Sequence, residues 1–253
     1  MILTLKSNDD LRACRAELKA RNLDFSDPGR ARFWRLLYQL RFRRVLPPAD
    51  LLKSWDVAHA VKILESAVPD RDTPILDMGC FNSEVVYALA ALGYRHVHGC
   101  DLNPLCRWMP YWNKVKYVFA DLTKTPFPDG AFGALTCLSV IEHGVPVDAL
   151  AAEADRLLRP GGVFLMTTDF DATGRPHDID PQFRVFDQSW RIFTPETLDE
   201  VIERFRLRGF SLLDPSTVDR AHTERPVHWN HQDYTFALVA LRKSGGNGQA
   251  AAG

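Results

Sequence analysis

The chain has 253 residues, of which 46% are hydrophobic and 25% charged, and a formal net charge of -1. That is the balance of an ordinary globular protein with enough chain to bury a sizeable core. It excludes a surface built broadly of basic charge for nucleic acid, leaving only a local basic patch open. The five cysteines, Cys14, Cys80, Cys100, Cys106 and Cys137, are odd in number, form no C-x-x-C pair and sit mostly in apolar runs. They read as reduced core thiols, not as a disulfide framework or a zinc site. No basic region followed by a long apolar stretch opens the chain, and no apolar run approaches the roughly 18 residues that span a bilayer. A soluble, cytoplasmic protein is expected.

Residues 1–70 read as an N-terminal helical extension. Asp9-Asp10 starts a helix through Leu11 and Leu18 that ends near Asn22. A second helix is expected over Arg30 to Val45, stopped by Pro47-Pro48, and a third from Asp56 to Val68, with Val57, Ala60, Val61 and Leu64 at helical spacing. From Pro74 the pattern changes to short β-rich runs alternating with helices, the mark of a mostly parallel sheet. Strands are expected at Ile75–Met78, His96–Cys100, Lys116–Ala120, Ala134–Leu138 and Gly162–Thr168. Helices are expected at Ser83–Leu92, Leu105–Asn113 and Asp148–Leu158, the last stopped by Arg159-Pro160-Gly161-Gly162. Residues 169–193, polar and aromatic, break the alternation as a lid-like insertion. Thr194-Pro195-Glu196 then opens a helix with Thr194 as N-cap, and strands Phe210–Leu213 and Tyr234–Leu241 complete a main domain spanning 71–243. The 244–253 tail has almost nothing to bury and is expected to be disordered.

Three segments carry the chemistry. Ile75 to Glu84 is a strand, a turn (Asp77, Met78, Gly79, Cys80, Phe81, Asn82, Ser83) and a helix start, which places backbone N–H groups and a crevice at the carboxyl edge of a sheet. Such a turn alone is common for packing reasons. Asp101, 22 positions beyond Gly79, ends the next strand, where a carboxylate takes two ribose hydroxyls; N-capping of the segment from Pro104 is its structural alternative. Asp121 follows a third strand, where it can accept from an adenine amino group with Leu122 beside the ring, or stand as an exposed loop carboxylate.

The series Leu76-Asp77-Met78-Gly79-Cys80, Gly99-Cys100-Asp101, Ala120-Asp121-Leu122, Pro126-Phe127-Pro128-Asp129-Gly130-Ala131-Phe132, Ile141-Glu142-His143 and Leu157-Leu158-Arg159-Pro160-Gly161-Gly162 resembles the class I methyltransferases that use S-adenosylmethionine (SAM). More narrowly, it is similar to the branch acting on small molecules, lipids and sugars, over about residues 70–170. The resemblance implies an α/β fold with a seven-stranded, mostly parallel sheet, its last strand antiparallel, flanked by helices. It implies SAM lying across the ends of the first, second and fourth strands. By position, Asp77, Gly79, Cys80, Phe81, Asn82 and Ser83 form the turn beside the methionine and ribose portions; Asp101 with Leu102 holds the ribose, Asp121 with Leu122 the adenine, and Leu138-Ser139 the methionyl side. The turn departs from the family at Phe81 and Ser83, where glycines are common, and a bulky Phe81 crowds any ligand that approaches the backbone.

His143, after the fourth strand, is the candidate general base for a hydroxyl acceptor, with capping of the next helix as its structural alternative. Asp169, Asp171, His177, Asp178 and Asp180 could hydrogen-bond a polyol or hold Mg²⁺; no metal is required for methyl transfer. Phe183, Phe186 and Trp190 suit a lid, and His222, His228, Trp229 and His231 one wall of an acceptor pocket. Arg30, Arg32, Arg35, Arg41, Arg43 and Arg44 form the strongest charge cluster, able to meet an anionic partner or simply to flank an apolar face. The expected activity is O-methylation of a hydroxylated small molecule or glycan. A SAM-binding module without catalysis and an NAD(P)-dependent oxidoreductase are the alternatives, the latter lacking a G-x-G-x-x-G run.

Overall fold

The structure is a computed structural model and describes residues 1–24, 51–109, 113–175, 177–184 and 188–245. The expected basic helix over Arg30–Val45, Phe186 and most of the tail lie outside the described residues. Among the described residues the strands are β1 (Ile2–Thr4), β2 (Ile75–Met78), β3 (Val97–Asp101), β4 (Val115–Phe119), β5 (Phe132–Leu138), β6 (Leu158–Phe170), β7 (Phe210–Leu212), β8 (Val227–Trp229) and β9 (Gln232–Lys243). The helices are α1 (Asn8–Ala20), α2 (Ser54–Ala67), α3 (Val85–Ala91), α4 (Val147–Leu157) and α5 (Pro195–Arg206).

The sheet runs β1-β9-β6-β5-β2-β3-β4, with β7 and β8 also pairing with β9. Strands β2 to β6 are mutually parallel and β9 runs antiparallel to β6. This is the expected α/β architecture with an antiparallel last strand, enlarged to nine strands by β1 and β8. Alternation along the strands divides the core into two layers. Ile75, Val97, Ala134 and Leu165 face α1, α2 and α3, whereas Leu76, Cys100, Leu135 and Met166 face α4 and α5.

Several elements differ from the sequence reading. The N-terminal extension is not all helical: β1 pairs with the middle of β9, Ile2 opposite Val239. Ser7, not Asp9, caps α1, with Asp10 returning the bond in a capping box. The expected helix from Leu105 is only a 3₁₀ turn, Pro104–Trp108, capped by Asn103 and ended by Met109 in extended backbone. Pro110 disfavours a helical conformation at the residue before it, which explains the stop. The Arg159–Gly162 run does not separate α4 from β6 as a free turn; it enters β6 as a bulge, where the register with β5 shifts between Phe132 and Ala134. The β8–β9 hairpin turns at Asn230 and His231, both with positive φ (46° and 61°), as a tight two-residue connection demands. Thr194 caps α5 with Pro195 in its first turn, as expected.

Candidate functional site

The sheet order reverses at β2, with β5 on one side and β3 on the other, the place where open α/β sheets bind ligands. Gly79, at φ +85°, makes the sharp exit from β2, and a Cβ there would stand 2.4 Å from Val140 Cγ2. Several of the turn's N–H groups are already engaged: those of Gly79 and Cys80 donate to the Cys100 carbonyl at 2.8 and 3.1 Å, and that of Phe81 to Asp101 Oδ2 at 2.9 Å.

Two buried acceptor atoms stand ready there, Asp77 Oδ2 and Asn82 Oδ1, neither with a hydrogen-bond partner among the described residues. The other Asp77 oxygen accepts from Thr136 Oγ1 at 2.6 Å. Burial pushes the Asp77 carboxyl up to about 6, against the Thr136 hydroxyl. Asp101 is raised by burial too, opposed by the N–H groups of Asn103 and Phe81. Asn103 N–H donates to Asp101 Oδ1 at 2.7 Å, and each carboxylate oxygen keeps a further lone pair. Asn103, not Asp101, caps the 3₁₀ turn.

The remaining predicted residues divide. Cys80 is buried against Cys106 and Met109, with Phe81 packed on the same cluster. Leu102 is exposed. Asp121, at the surface, accepts from Thr123 N–H at 2.8 Å and Thr123 Oγ1 at 2.7 Å, and Leu122 is buried in the α4/α5 layer. Leu138 packs on the opposite layer. Ser139 has φ 53°, strained for a residue with a side chain. It is fixed by Thr167, whose hydroxyl accepts its N–H at 3.0 Å.

Ser139 also leads to residues that pattern reasoning did not find. Its hydroxyl donates to Asp56 Oδ2 at 3.0 Å and accepts from Lys53 Nζ at 2.5 Å. Thr167 Oγ1 donates to the same Asp56 oxygen at 3.2 Å, and Lys53 Nζ stands 4.3 Å from the centre of the Phe236 ring. The only sequence signal was a carboxylate on the apolar side of α2, between Trp55 and Val57, all three buried. Glu142 and Asp169 add two more buried carboxylates. Thr168 Oγ1 donates to Glu142 at 3.2 Å, and Trp190 Nε1 to Asp169 Oδ2 at 2.7 Å. Burial raises both, Asp169 to about 6, with Lys53 pulling the other way.

His143 lies at the end of the 3₁₀ turn Ile141–His143. Burial and then the Lys53 charge push its imidazole down to about 4, and its buried Nδ1 has no partner among the described residues. It does not cap α4, whose N-cap is Pro146 without a side-chain bond.

The insertion is folded down over this end of the sheet. Trp190, Phe183 and Trp229 form a cluster with centroids 4.6 to 6.0 Å apart, and Tyr234 backs Trp190 at 5.8 Å. Asp171, fully buried, is a fastening point: it accepts from Arg175 Nε and Arg225 Nε, each at 2.9 Å, and His177 and His222 also face it. Two guanidiniums on one carboxylate leave no attraction for a metal cation there. Among the described residues no group of three or more His, Cys, Asp and Glu side chains is arranged to hold a metal ion. His228 pairs with Asp233 on the exposed hairpin, 2.6 Å apart. Among the described residues no helix is long and apolar enough to cross a membrane.

Comparison with known proteins matches residues 76–166 to a family described as a methyltransferase domain. A sterol 24-C-methyltransferase (erg-4) of Neurospora crassa is 25% identical over 173 residues, 63% of this chain and 45% of that protein. One from Eremothecium gossypii is 27% identical over 169 residues, 61% of this chain and 44% of its own length. The chain thus spans less than half the length of these curated relatives. Among solved structures, the cyclase SpnF superposes with a TM-score of 0.59 at 18% identity, covering 85% of this chain and 95% of that one. A geranyl diphosphate methyltransferase complexed with its diphosphate substrate and sinefungin gives 0.56 at 17%, covering 77% and 81%. At such identities the superpositions establish the fold.

Proposed function

We propose that this chain, whose residues 76–166 match a methyltransferase domain family, transfers a methyl group from SAM to a small molecule with an apolar body. The observation that carries the cofactor reading is the pair of unpartnered acceptors, Asp77 Oδ2 and Asn82 Oδ1, on a turn whose Gly79 leaves no room for a side chain. These suit the ammonium and hydroxyl donors of SAM. Asp101 suits the ribose diol, with Leu102 beside it. Asp121 would meet the adenine amino group by exchanging its bond to Thr123. Ser139 and Leu138 border the methionyl side.

SAM supplies, when bound, an electrophilic methyl on a sulfonium. The chain's part is to align a nucleophile with it and exclude water, which can account for most of the acceleration. Trp190, Trp229, Phe183 and Tyr234 supply the apolar wall on the acceptor side. His143, its pKa pushed down to about 4 and its Nδ1 unfilled among the described residues, follows the end of β5 and is the candidate base for a hydroxyl acceptor. A base of such low pKa is a weak one. The relatives named as sterol 24-C-methyltransferases favour a second reading, in which the acceptor atom is carbon. Binding without methyl transfer is the third, because the fold also occurs in a protein named as a cyclase.

The test is turnover. Purified protein with SAM and a panel of sterols, prenyl diphosphates and phenolic or sugar hydroxyl compounds should form S-adenosylhomocysteine (SAH) and a methylated product with one class. Tight SAM binding with no SAH from any class would overturn the catalytic reading and leave the binding module.

A further inference from the structure

Two of the five cysteines sit against the cofactor turn itself. Cys80 lies between Gly79 and Phe81, and its side chain is so close beneath β3 that a Cβ on Gly99 would stand 2.8 Å from both its Cβ and its Sγ. Cys106 lies on the 3₁₀ turn that follows Asp101, with its thiol 3.7 Å from the Val118 carbonyl of β4. The two side chains are packed together with Met109 in a small buried cluster of their own, apart from the two main core layers. Both are free thiols.

We infer that Cys80 and Cys106 are an oxidation site, a dithiol that a peroxide converts to a disulfide, thereby distorting the SAM turn. The asymmetry of the pair agrees with this. The neighbouring Cys80 thiol and the nearby Arg107 lower the pKa of Cys106, while the same neighbourhood and burial raise that of Cys80. Cys106 is therefore the attacking sulfur. Its thiolate attacks one peroxide oxygen, the O–O bond breaks, and hydroxide leaves a sulfenic acid behind. Cys80 then attacks that sulfur, the S–S bond forms and a second hydroxide departs. With the two thiol protons the balance is one disulfide and two waters, the thiols giving two electrons and the peroxide taking them.

Access comes through the 3₁₀ turn. Pro104–Trp108 is only five residues long and is secured by Leu105 N–H to Asn103 Oδ1 at 3.0 Å, Cys106 N–H to Asn103 O at 2.9 Å and Met109 N–H to Cys106 O at 3.0 Å. Short segments tied by few bonds open locally at modest free energy. Disulfide formation draws the sulfurs to about 2.05 Å. That pulls Cys80 and the attached Phe81, whose N–H is bonded to Asp101 Oδ2, toward the 3₁₀ turn. The effect on cofactor rests on the reading of the Asp77–Ser83 turn given above; the disulfide itself does not.

The experiment treats the full chain with hydrogen peroxide, maps thiols by alkylation and mass spectrometry, and titrates SAH into reduced, oxidised and re-reduced protein. The expected result is a Cys80–Cys106 cross-linked peptide, SAH affinity lower by roughly tenfold or more in the oxidised form, recovery with dithiothreitol, and protection by SAH, since coupling is reciprocal. Cys106→Ser should bind SAH like the reduced wild type and lose the response. Oxidation of Cys106 to sulfinic acid without a link, a link involving Cys14, Cys100 or Cys137, or a Cys80–Cys106 link that leaves SAH affinity unchanged would each overturn the inference. Absence of SAH binding to the reduced protein would instead count against the cofactor reading, with the cross-link still decided by its mass.

Discussion

Gly79→Ala probes the turn on which the site depends. At φ +85° an alanine would sit in the left-handed region, and its Cβ would lie 2.4 Å from Val140 Cγ2 and 3.2 Å from Cγ1. The backbone contribution is about 1–2 kcal/mol. Forcing Val140 aside on its packed face adds about 1–3 kcal/mol, so the total loss is about 2–5 kcal/mol. The two parts separate in a double-mutant cycle, because Val140→Ala removes the obstructing methyls but leaves φ unchanged. Urea denaturation followed by far-ultraviolet circular dichroism measures all four proteins. In the Val140→Ala background Gly79→Ala should cost only the backbone part, about 1–2 kcal/mol. An equal cost in both backgrounds, or a loss within about 0.5 kcal/mol of zero in the wild type, would refute the placement of Val140 over the turn.

Three other perturbations follow from the same geometry. Asp77 has a folded-state pKa of about 6 against 3.8 for the exposed group, so the unfolded chain gives up its proton first as pH rises. Its contribution to stability is therefore complete below about 3.8 and is lost on passing to about 6. Asp77→Asn should raise stability above that window by on the order of 1–3 kcal/mol and change it little at acid pH, while weakening SAM binding; identical pH profiles of denaturation midpoint would contradict this. Arg15 reaches from α1 to Glu84 through two bonds of 2.9 Å, both side chains being buried, and Arg15→Ala should destabilise by about 3–5 kcal/mol by leaving that carboxylate without its guanidinium. A loss below about 1 kcal/mol in urea would show the pair to be dispensable. Trp190→Phe keeps an aromatic side chain, smaller by the pyrrole part, and deletes the donor to Asp169; the hydrogen-bond share of the expected loss is about 1–3 kcal/mol, and Asp169→Asn in the same chain should reduce that share, so full additivity of the two changes would count against the bond.

What was legible in the sequence followed from local regularity. The alternation after Pro74, the carboxyl-end acids and the Thr194-Pro195 helix start each depend on neighbours a few positions apart, and the sheet that positions Asp77 and Asp101 came from them. The 3₁₀ turn at Pro104–Trp108 is not legible in the sequence, because Leu105, Trp108 and Met109 have helical spacing and Pro110 overrides it. Strand β1 is three residues long, too short to show a period, and it exists because β9 offers it an edge. The group around Lys53, Asp56, Ser139 and Thr167 was beyond reach for a different reason. Lys53 and Asp56 lie more than eighty positions before Ser139 and Thr167, and only the packing of α2 against the ends of β5 and β6 makes them neighbours. Glu142 was visible beside His143 but not as a buried carboxylate near Asp169, since burial is a property of the fold.

Calorimetric titration of SAM into the reduced protein and its Asp101→Ala variant decides whether the end of β3 holds the cofactor. One site per chain is expected in the wild type, weakened by about 1.5–3 kcal/mol in the variant through loss of charge-assisted hydrogen bonds to the ribose. No heat with millimolar SAM, or equal affinity in the two proteins, would contradict it.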